Sequence, residues 1–243
     1  MRNSHLALAI AAGLAASPVS ATTNLVTNGD FTILTNGPGQ ISEGFSTTIA
    51  TGWTAAGYNA VLAVADQAVN TVYGTANLAM WDKANGGNNN WNGLAARGTG
   101  NILAIDGDFG TQTQVSQTVS GLTIGKTYTL NFDYAFAQQY GYNGATIQHL
   151  TAEMGSTAWT SADFELANHG FSGWKGKSLE FTADSASEVL SFLAYGNVPV
   201  PPFSLVSNVS IAAVPELSTW ALMLAGFAGL AYAGRARRRA AAL

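Results

Sequence analysis

Residues 126–136 read Lys-Thr-Tyr-Thr-Leu-Asn-Phe-Asp-Tyr-Ala-Phe, and their alternation decides the fold class. Tyr128, Leu130, Phe132, Tyr134 and Phe136 fall on one parity, with Thr129, Asn131, Asp133 and Ala135 between them. Successive strand side chains point to opposite faces, so this spacing predicts a strand with an aromatic face and a polar one. Residues 203–211 carry the same signal: Phe203, Leu205, Val209 and Ile211 share a parity, with Ser204, Asn208 and Ser210 between. Further strands are expected at 102–105, 112–119, 146–153, 178–183 and 189–195. Gly121-Leu122-Thr123-Ile124-Gly125 reads as a glycine-bounded turn joining two of these strands as neighbours. Helical periodicity is confined to a few residues near 55–69, and longer loops are expected at 35–48 and 82–101. Many short strands joined by polar turns predict an all-β fold, a jelly-roll β-sandwich over residues 22–213.

Composition agrees with that class and excludes others. Of the 243 residues, 47% are apolar and aromatics recur throughout, which argues against disorder. The formal net charge is −4, but its distribution is uneven. Five of the ten basic residues lie at the two ends (Arg2, Arg235, Arg237, Arg238 and Arg239). The region between keeps 5 basic residues against 13 carboxylates, a balance of −8. Without a basic face to neutralise phosphates, nucleic acid is excluded as a partner. There are no cysteines, so disulfides, thiolate nucleophiles and cysteine-bound metals are excluded too.

The ends read as addresses. Met1-Arg2-Asn3-Ser4-His5 precedes an unbroken small and apolar run over 6–16, and Val19-Ser20-Ala21 supplies a small-residue exit. That order predicts a signal peptide over 1–21, cut after Ala21. At the other end Val214-Pro215-Glu216 leads into 17 apolar or small residues, 217–233, followed by the arginine cluster. As a helix this stretch rises about 25 Å, near the lower limit for a membrane span. Trp220 and Tyr232 lie towards its ends, where amphipathic rings favour the membrane interface, and the arginines are expected to stay cytoplasmic.

Pro215-Glu216-Leu217-Ser218-Thr219-Trp220-Ala221, then an apolar helix and an arginine-rich tail, resembles a PEP-CTERM sorting signal of the PEPxxWA variety over 214–239. It departs from the family in having Leu217 where proline is usual. The resemblance implies export by the Sec machinery, transient anchoring in the inner membrane and recognition by an exosortase. It also implies a final place at the cell surface or in the extracellular matrix of a Gram-negative bacterium, linked to exopolysaccharide and biofilm.

A second resemblance, to galactose-binding-like jelly rolls of carbohydrate-binding modules, rests on pieces spread through the domain. These are residues 24–31 (Asn-Leu-Val-Thr-Asn-Gly-Asp-Phe), Gly52-Trp53, 104–108, 115–119, Pro201-Pro202-Phe203 and 207–211. Relatives of that fold often hold a structural calcium between the opening Asn-Gly and the last strand. Here Thr32 and Ser207 stand where acids are usual, leaving Asp30 as its remaining acid, while Asn28-Gly29 and Asn208 also read as plain turn and backbone chemistry. Ca²⁺ wants six to eight oxygens. Asp106 and Asp108 form another candidate cation pair, although Asp-Gly is also an ordinary strand-end turn. No other cofactor is expected.

The stretch most suggestive of binding is 81–92, where Trp81, Asp82, Asn90, Trp91 and Asn92 lie on a glycine- and asparagine-rich loop. An aromatic ring can stack on the apolar face of a sugar while amides and carboxylates bond its hydroxyls. The alternative is a polar loop whose tryptophans pack back onto the sandwich rim. Tyr140, Tyr142 and Asn143, beside Gln138 and Gln139, form a second loop of like character, whereas Trp159 and Trp174 read as packing residues. Catalysis is not expected. His149 and His169 lack a Gly-x-Ser-x-Gly elbow, and Asp163 and Glu165, two apart, do not reveal a cleft. The expected role is a non-catalytic surface or matrix protein that engages polysaccharide. The alternatives are a self-associating coat protein and a secreted glycan-active hydrolase.

Overall fold

A computed structural model of the chain describes residues 23–41, 48–62, 79–81, 86–87, 100–107, 113–197, 200–214 and 224–232. Twelve strands run through the described residues: β1 (Gly39–Gln40), β2 (Thr54–Ala56), β3 (Asn59–Leu62), β4 (Ile102–Asp106), β5 (Thr113–Ser120), β6 (Thr127–Gln138), β7 (Thr146–Met154), β8 (Thr157–Thr160), β9 (Phe164–Leu166), β10 (Lys175–Thr182), β11 (Ser187–Gly196) and β12 (Pro202–Ala213). They form two antiparallel sheets, one ordered β1-β3-β4-β12-β6-β10 and the other β2-β5-β11-β7-β8, with β9 also on β7. The all-β sandwich expected from the alternation is the observed architecture.

The inward aromatics of β6 explain why the sheets face each other. Leu130, Phe132, Tyr134 and Phe136 meet Leu150, Ala152 and Met154 of β7 and Leu190 and Phe192 of β11 in one buried cluster. Phe192 lies 5.1 Å from Phe132 and 6.2 Å from Trp53, ring centre to ring centre. Burial among these rings raises the Tyr134 phenol above its ordinary pKa. Trp159 packs on Phe132 and Tyr134, and Trp174 on Phe171, as the sequence suggested.

Three expectations are corrected. Residues 203–211 do not keep one parity, because the register of β12 on β6 shifts between Ser207 and Ser210 and Asn208 takes φ 53°. The extra residue turns Val206, Val209 and Ile211 inward, while Phe203 and Leu205 join a second cluster with Met80, Ile102, Ala104, Ala135, Ala137 and Phe171. By strand alternation that cluster covers the outer face of the first sheet, which is why every residue of β4 is buried. Secondly, the 121–125 turn does not join sheet neighbours, since β5 and β6 lie in different sheets. Its backbone pairs instead with the β10–β11 connection, through Leu122 N to Ala186 O (3.1 Å) and Gly125 N to Ala183 O (2.8 Å). The Tyr128 hydroxyl accepts the Thr123 amide at 2.8 Å, so the loop is held by a tyrosine from the strand it feeds. Thirdly, the described part of 55–69 is extended, in β2 and β3, and β1 interrupts the loop expected at 35–48.

Glu188 closes the turn between β10 and β11. Its carboxylate is buried and accepts the amides of Asp184 (2.6 Å) and Ser185 (3.1 Å). Glu188→Ala strands two donors and is expected to cost about 2 kcal/mol in urea unfolding, whereas Glu188→Gln keeps an acceptor and costs roughly half that.

β10 is an edge strand of the first sheet. From it Lys175 and Lys177 reach across the open side of the sandwich to Phe164 and Trp159 at the edge of the other sheet, their ammonium groups 4.6 and 4.9 Å from the ring centres. Apart from the sandwich, residues 224–232 form a helix whose Leu224, Phe227, Leu230 and Tyr232 are all exposed. No described helix is long and apolar enough to cross a membrane.

Candidate functional site

Of the aromatic residues predicted to bind ligand, the three that are described, Trp81, Tyr140 and Tyr142, converge at one end of the sandwich, where β6 stops. Inward alternation along β6 continues past Phe136 to Gln138, which is wholly buried. Its side chain bonds two loops at once, donating from Nε2 to Gly144 O (3.0 Å) and accepting the His169 amide at Oε1 (2.6 Å). Asn168 adds a third tie, its Oδ1 accepting Gly144 N at 2.6 Å. Gly144 can serve both bonds because it sits at φ 135°, a backbone region closed to residues with a Cβ. The backbone of Gln138 also holds the 79–81 segment, through Trp81 N to Gln138 O at 2.9 Å, and Tyr140 N donates to Ala79 O at 2.8 Å.

On this scaffold the rings assemble. The Trp81 indole stacks on the His169 imidazole with centres 3.7 Å apart and planes 21° from parallel. Tyr140 meets Trp81 edge-on at 4.7 Å, and the indole N–H donates to Tyr142 O at 2.9 Å. His169 Nε2 lies 2.7 Å from Asn143 Oδ1, so that nitrogen carries the proton, because an amide oxygen only accepts. Tyr140 and Tyr142 remain 44% exposed. The structure shows the packing reading of Trp81. One face of its ring is packed onto the rim, and the same packing makes it a rigid support for the two exposed tyrosines.

Asp82, Asn90, Trp91 and Asn92 lie outside the described residues, as do Asp108, Ala21, Pro215, Glu216, Trp220, Arg235, Arg237, Arg238 and Arg239. His169, which the sequence did not assign to binding, joins the rim, and Gln138, read from the sequence only as a companion of the Tyr140–Asn143 loop, ties the rim together. His169 looks like a turn residue before glycine, and it does occupy a turn at φ 60°. Gln138 is not the loop residue that the sequence reading made it but the last, inward-facing residue of β6.

The two described metal candidates are not brought together. Asp30 belongs to the turn beside Asn101, at the start of β4, and Asp106 ends that strand. Five residues of strand separate their sites by about 16 Å. The Asp30 carboxylate accepts the Thr32 hydroxyl (3.0 Å). The turn's carbonyls are engaged by N–H donors: Asn28 O by Trp53 Nε1, Gly29 O by Val209 N, Asp30 O by Asn101 N and Phe31 O by Asn101 Nδ2. The Asn28 side chain bonds the backbone of Ile33 and Thr51, while Asn208 donates to the Asp133 carboxylate (2.8 Å) rather than to backbone. Among the described residues no group of three acidic, histidine or cysteine side chains could hold a metal.

Of the residues weighed for catalysis, His149 and Asp163 meet, Nδ1 to Oδ1 at 2.9 Å, on the outer face of the second sheet. His149 also stacks on Tyr195, centres 4.4 Å apart and planes 10° from parallel. The pair has a base and its orienting acid, but no hydroxyl nucleophile among the described residues bonds the imidazole.

No family model matches the chain, and no curated protein matches it. Among solved structures, a domain described as CBM4 is similar at 16% identity, covering 77% of this chain and 99% of that one, with a TM-score of 0.37. The CBM22-1 xylan-binding domain from Paenibacillus barcinonensis is similar at 12% identity over 80% of this chain and 96% of that one, with a TM-score of 0.36. TmCBM61, solved in complex with β-1,4-galactotriose, is similar at 12% identity over 50% and 76%, with a TM-score of 0.33. At these values the likeness assigns this chain neither ligand nor role.

Proposed function

We propose that this chain is a non-catalytic, exported surface or matrix protein whose jelly-roll sandwich holds polysaccharide at the Trp81–Tyr140–Tyr142–His169 rim. The observation that carries the binding half is the rim itself: two exposed tyrosines on a stacked indole–imidazole pair, with both loops tied to one buried glutamine. Rigid rings beside amides suit a ligand with alternating C–H and hydroxyl faces. The export half rests on the signal-peptide pattern and on the PEP-CTERM resemblance at the other end. Exosortase and the Sec machinery are the partners that this resemblance implies. The unpartnered apolar side chains of 224–232 are in keeping with a lipid address.

Affinity electrophoresis of the full-length protein through gels containing neutral polysaccharides tests the binding half. Retardation is expected on at least one polymer. Trp81→Ala and Tyr140→Ala should each weaken it about tenfold, the equivalent of roughly 1.4 kcal/mol. Equal mobility on every polymer rejects sugar binding. The mass of the protein recovered from the cell surface tests the address, since both ends are expected to be gone.

A further inference from the structure

We infer that the rim continues along the outer face of the second sheet to Tyr195, so that the ligand is an internal segment of an extended neutral glycan rather than a chain end. This rests on the carbohydrate reading above and specifies its ligand.

The register places the pieces in a line. β9 runs antiparallel to β7, with Leu166 opposite Thr146, Glu165 opposite Ile147 and Phe164 opposite Gln148, and one residue further along Asp163 meets His149. The rim loops leave from the Thr146–Leu166 end, through Gly144 and Asn168. His149 therefore stands three residues, about 10 Å, along the strand from the rim. On β11 Tyr195 is the direct partner of His149. Between rim and stack, the outward face carries Ile147 and the exposed carboxylate of Glu165, with the Asn197 side chain beside it, bonded to Ile147 N at 2.9 Å. A single sugar ring cannot touch both ends of this track; a chain can.

The far end is built as a platform. A carboxylate only accepts, so His149 donates from Nδ1 to Asp163, which fixes the ring plane. The fixed imidazole then supports the Tyr195 ring, which is 49% exposed. Tyrosine has few rotatable bonds, so a ring already held upright loses little freedom when a ligand stacks on it. The charge along the track sets the ligand class. Asp163 and Glu165 can accept hydrogen bonds from hydroxyls but repel carboxylated or sulfated sugars, and no lysine or arginine stands among the track residues named here. A cross-strand pair serving stability alone would share the stacking but would have no bearing on ligand length.

The test is calorimetric titration of the full-length protein with β-1,4-linked glucose, xylose and galactose oligomers from dimer to hexamer. Affinity for at least one series should rise about tenfold with length. Tyr195→Ala should flatten that rise while leaving dimer affinity and the thermal midpoint unchanged, and Tyr195→Phe should restore it. Trp81→Ala should weaken dimer and hexamer alike. A flat ladder with intact dimer binding, or a rise that survives Tyr195→Ala, overturns the track and leaves the rim standing. Failure of every oligomer to bind the unaltered protein overturns the carbohydrate reading and the track with it.

Discussion

Replacing Phe192 with alanine is expected to lower stability by about 4 kcal/mol, the largest single-residue loss in the sandwich. The ring is wholly buried and bridges the two sheets, touching Phe132 of β6 on one side and Trp53 on the other. Trp53 in turn packs on Phe31 at 5.2 Å and donates its indole N–H to Asn28 O. Removing the ring opens a cavity at the point where both sheets and the N-terminal turn meet, and none of the three can collapse without breaking its own hydrogen bonds. Phe192→Leu refills most of the volume and should cost less than half as much. The measurement is urea unfolding monitored by tryptophan fluorescence. Equal losses for the two variants would mean that shape across the sheets matters less than this arrangement requires.

Gly29→Ala should cost about 3 kcal/mol even though it adds a single methyl group. A Cβ built at that position would stand 2.0 Å from Val209 O and 3.2 Å from the Val26 side chain. The obstacle is backbone of β12, which cannot swing aside as a side chain could. The same approach lets Val209 N donate to Gly29 O at 2.9 Å, and Leu25 and Ile211 are joined in the same way. The added methyl therefore pushes the opening segment off the last strand. A midpoint unchanged by Gly29→Ala would show that the segment is docked more loosely than these distances state.

Much of this was written plainly in the sequence. The strict period of 128–136 gave the central strand and its inward face, because a half-buried strand leaves alternation and little else can produce it. The scattered pieces Asn24–Phe31, Gly52-Trp53 and Ser207–Ile211 do meet, around the Phe31–Trp53 pair and the Gly29–Val209 contact. The bulge at Ser207–Ser210 was not legible, since one extra residue reverses parity without altering composition. Nor was the sheet change across Gly121–Gly125. A short glycine-bounded turn looks the same whether it closes a hairpin or crosses to the other sheet, and here the Tyr128 hydroxyl and the 183–186 backbone decide. Of the candidate site, Trp81, Tyr140 and Tyr142 were legible as aromatics in polar loops. That His169 would stack on Trp81 depends on Gln138 joining segments 31 residues apart, a distance that no local pattern records.

The two lysines on β10 carry one last consequence. An exposed border strand offers a ladder of unused amides and carbonyls to any neighbour, and proteins crowded at high density in a matrix risk fusing into fibres along such borders. Here a copy approaching that border meets two ammonium groups, already drawn over Phe164 and Trp159 and costly to displace. Contacts between copies are thereby steered away from this border and towards the ends or the broad faces of the sandwich.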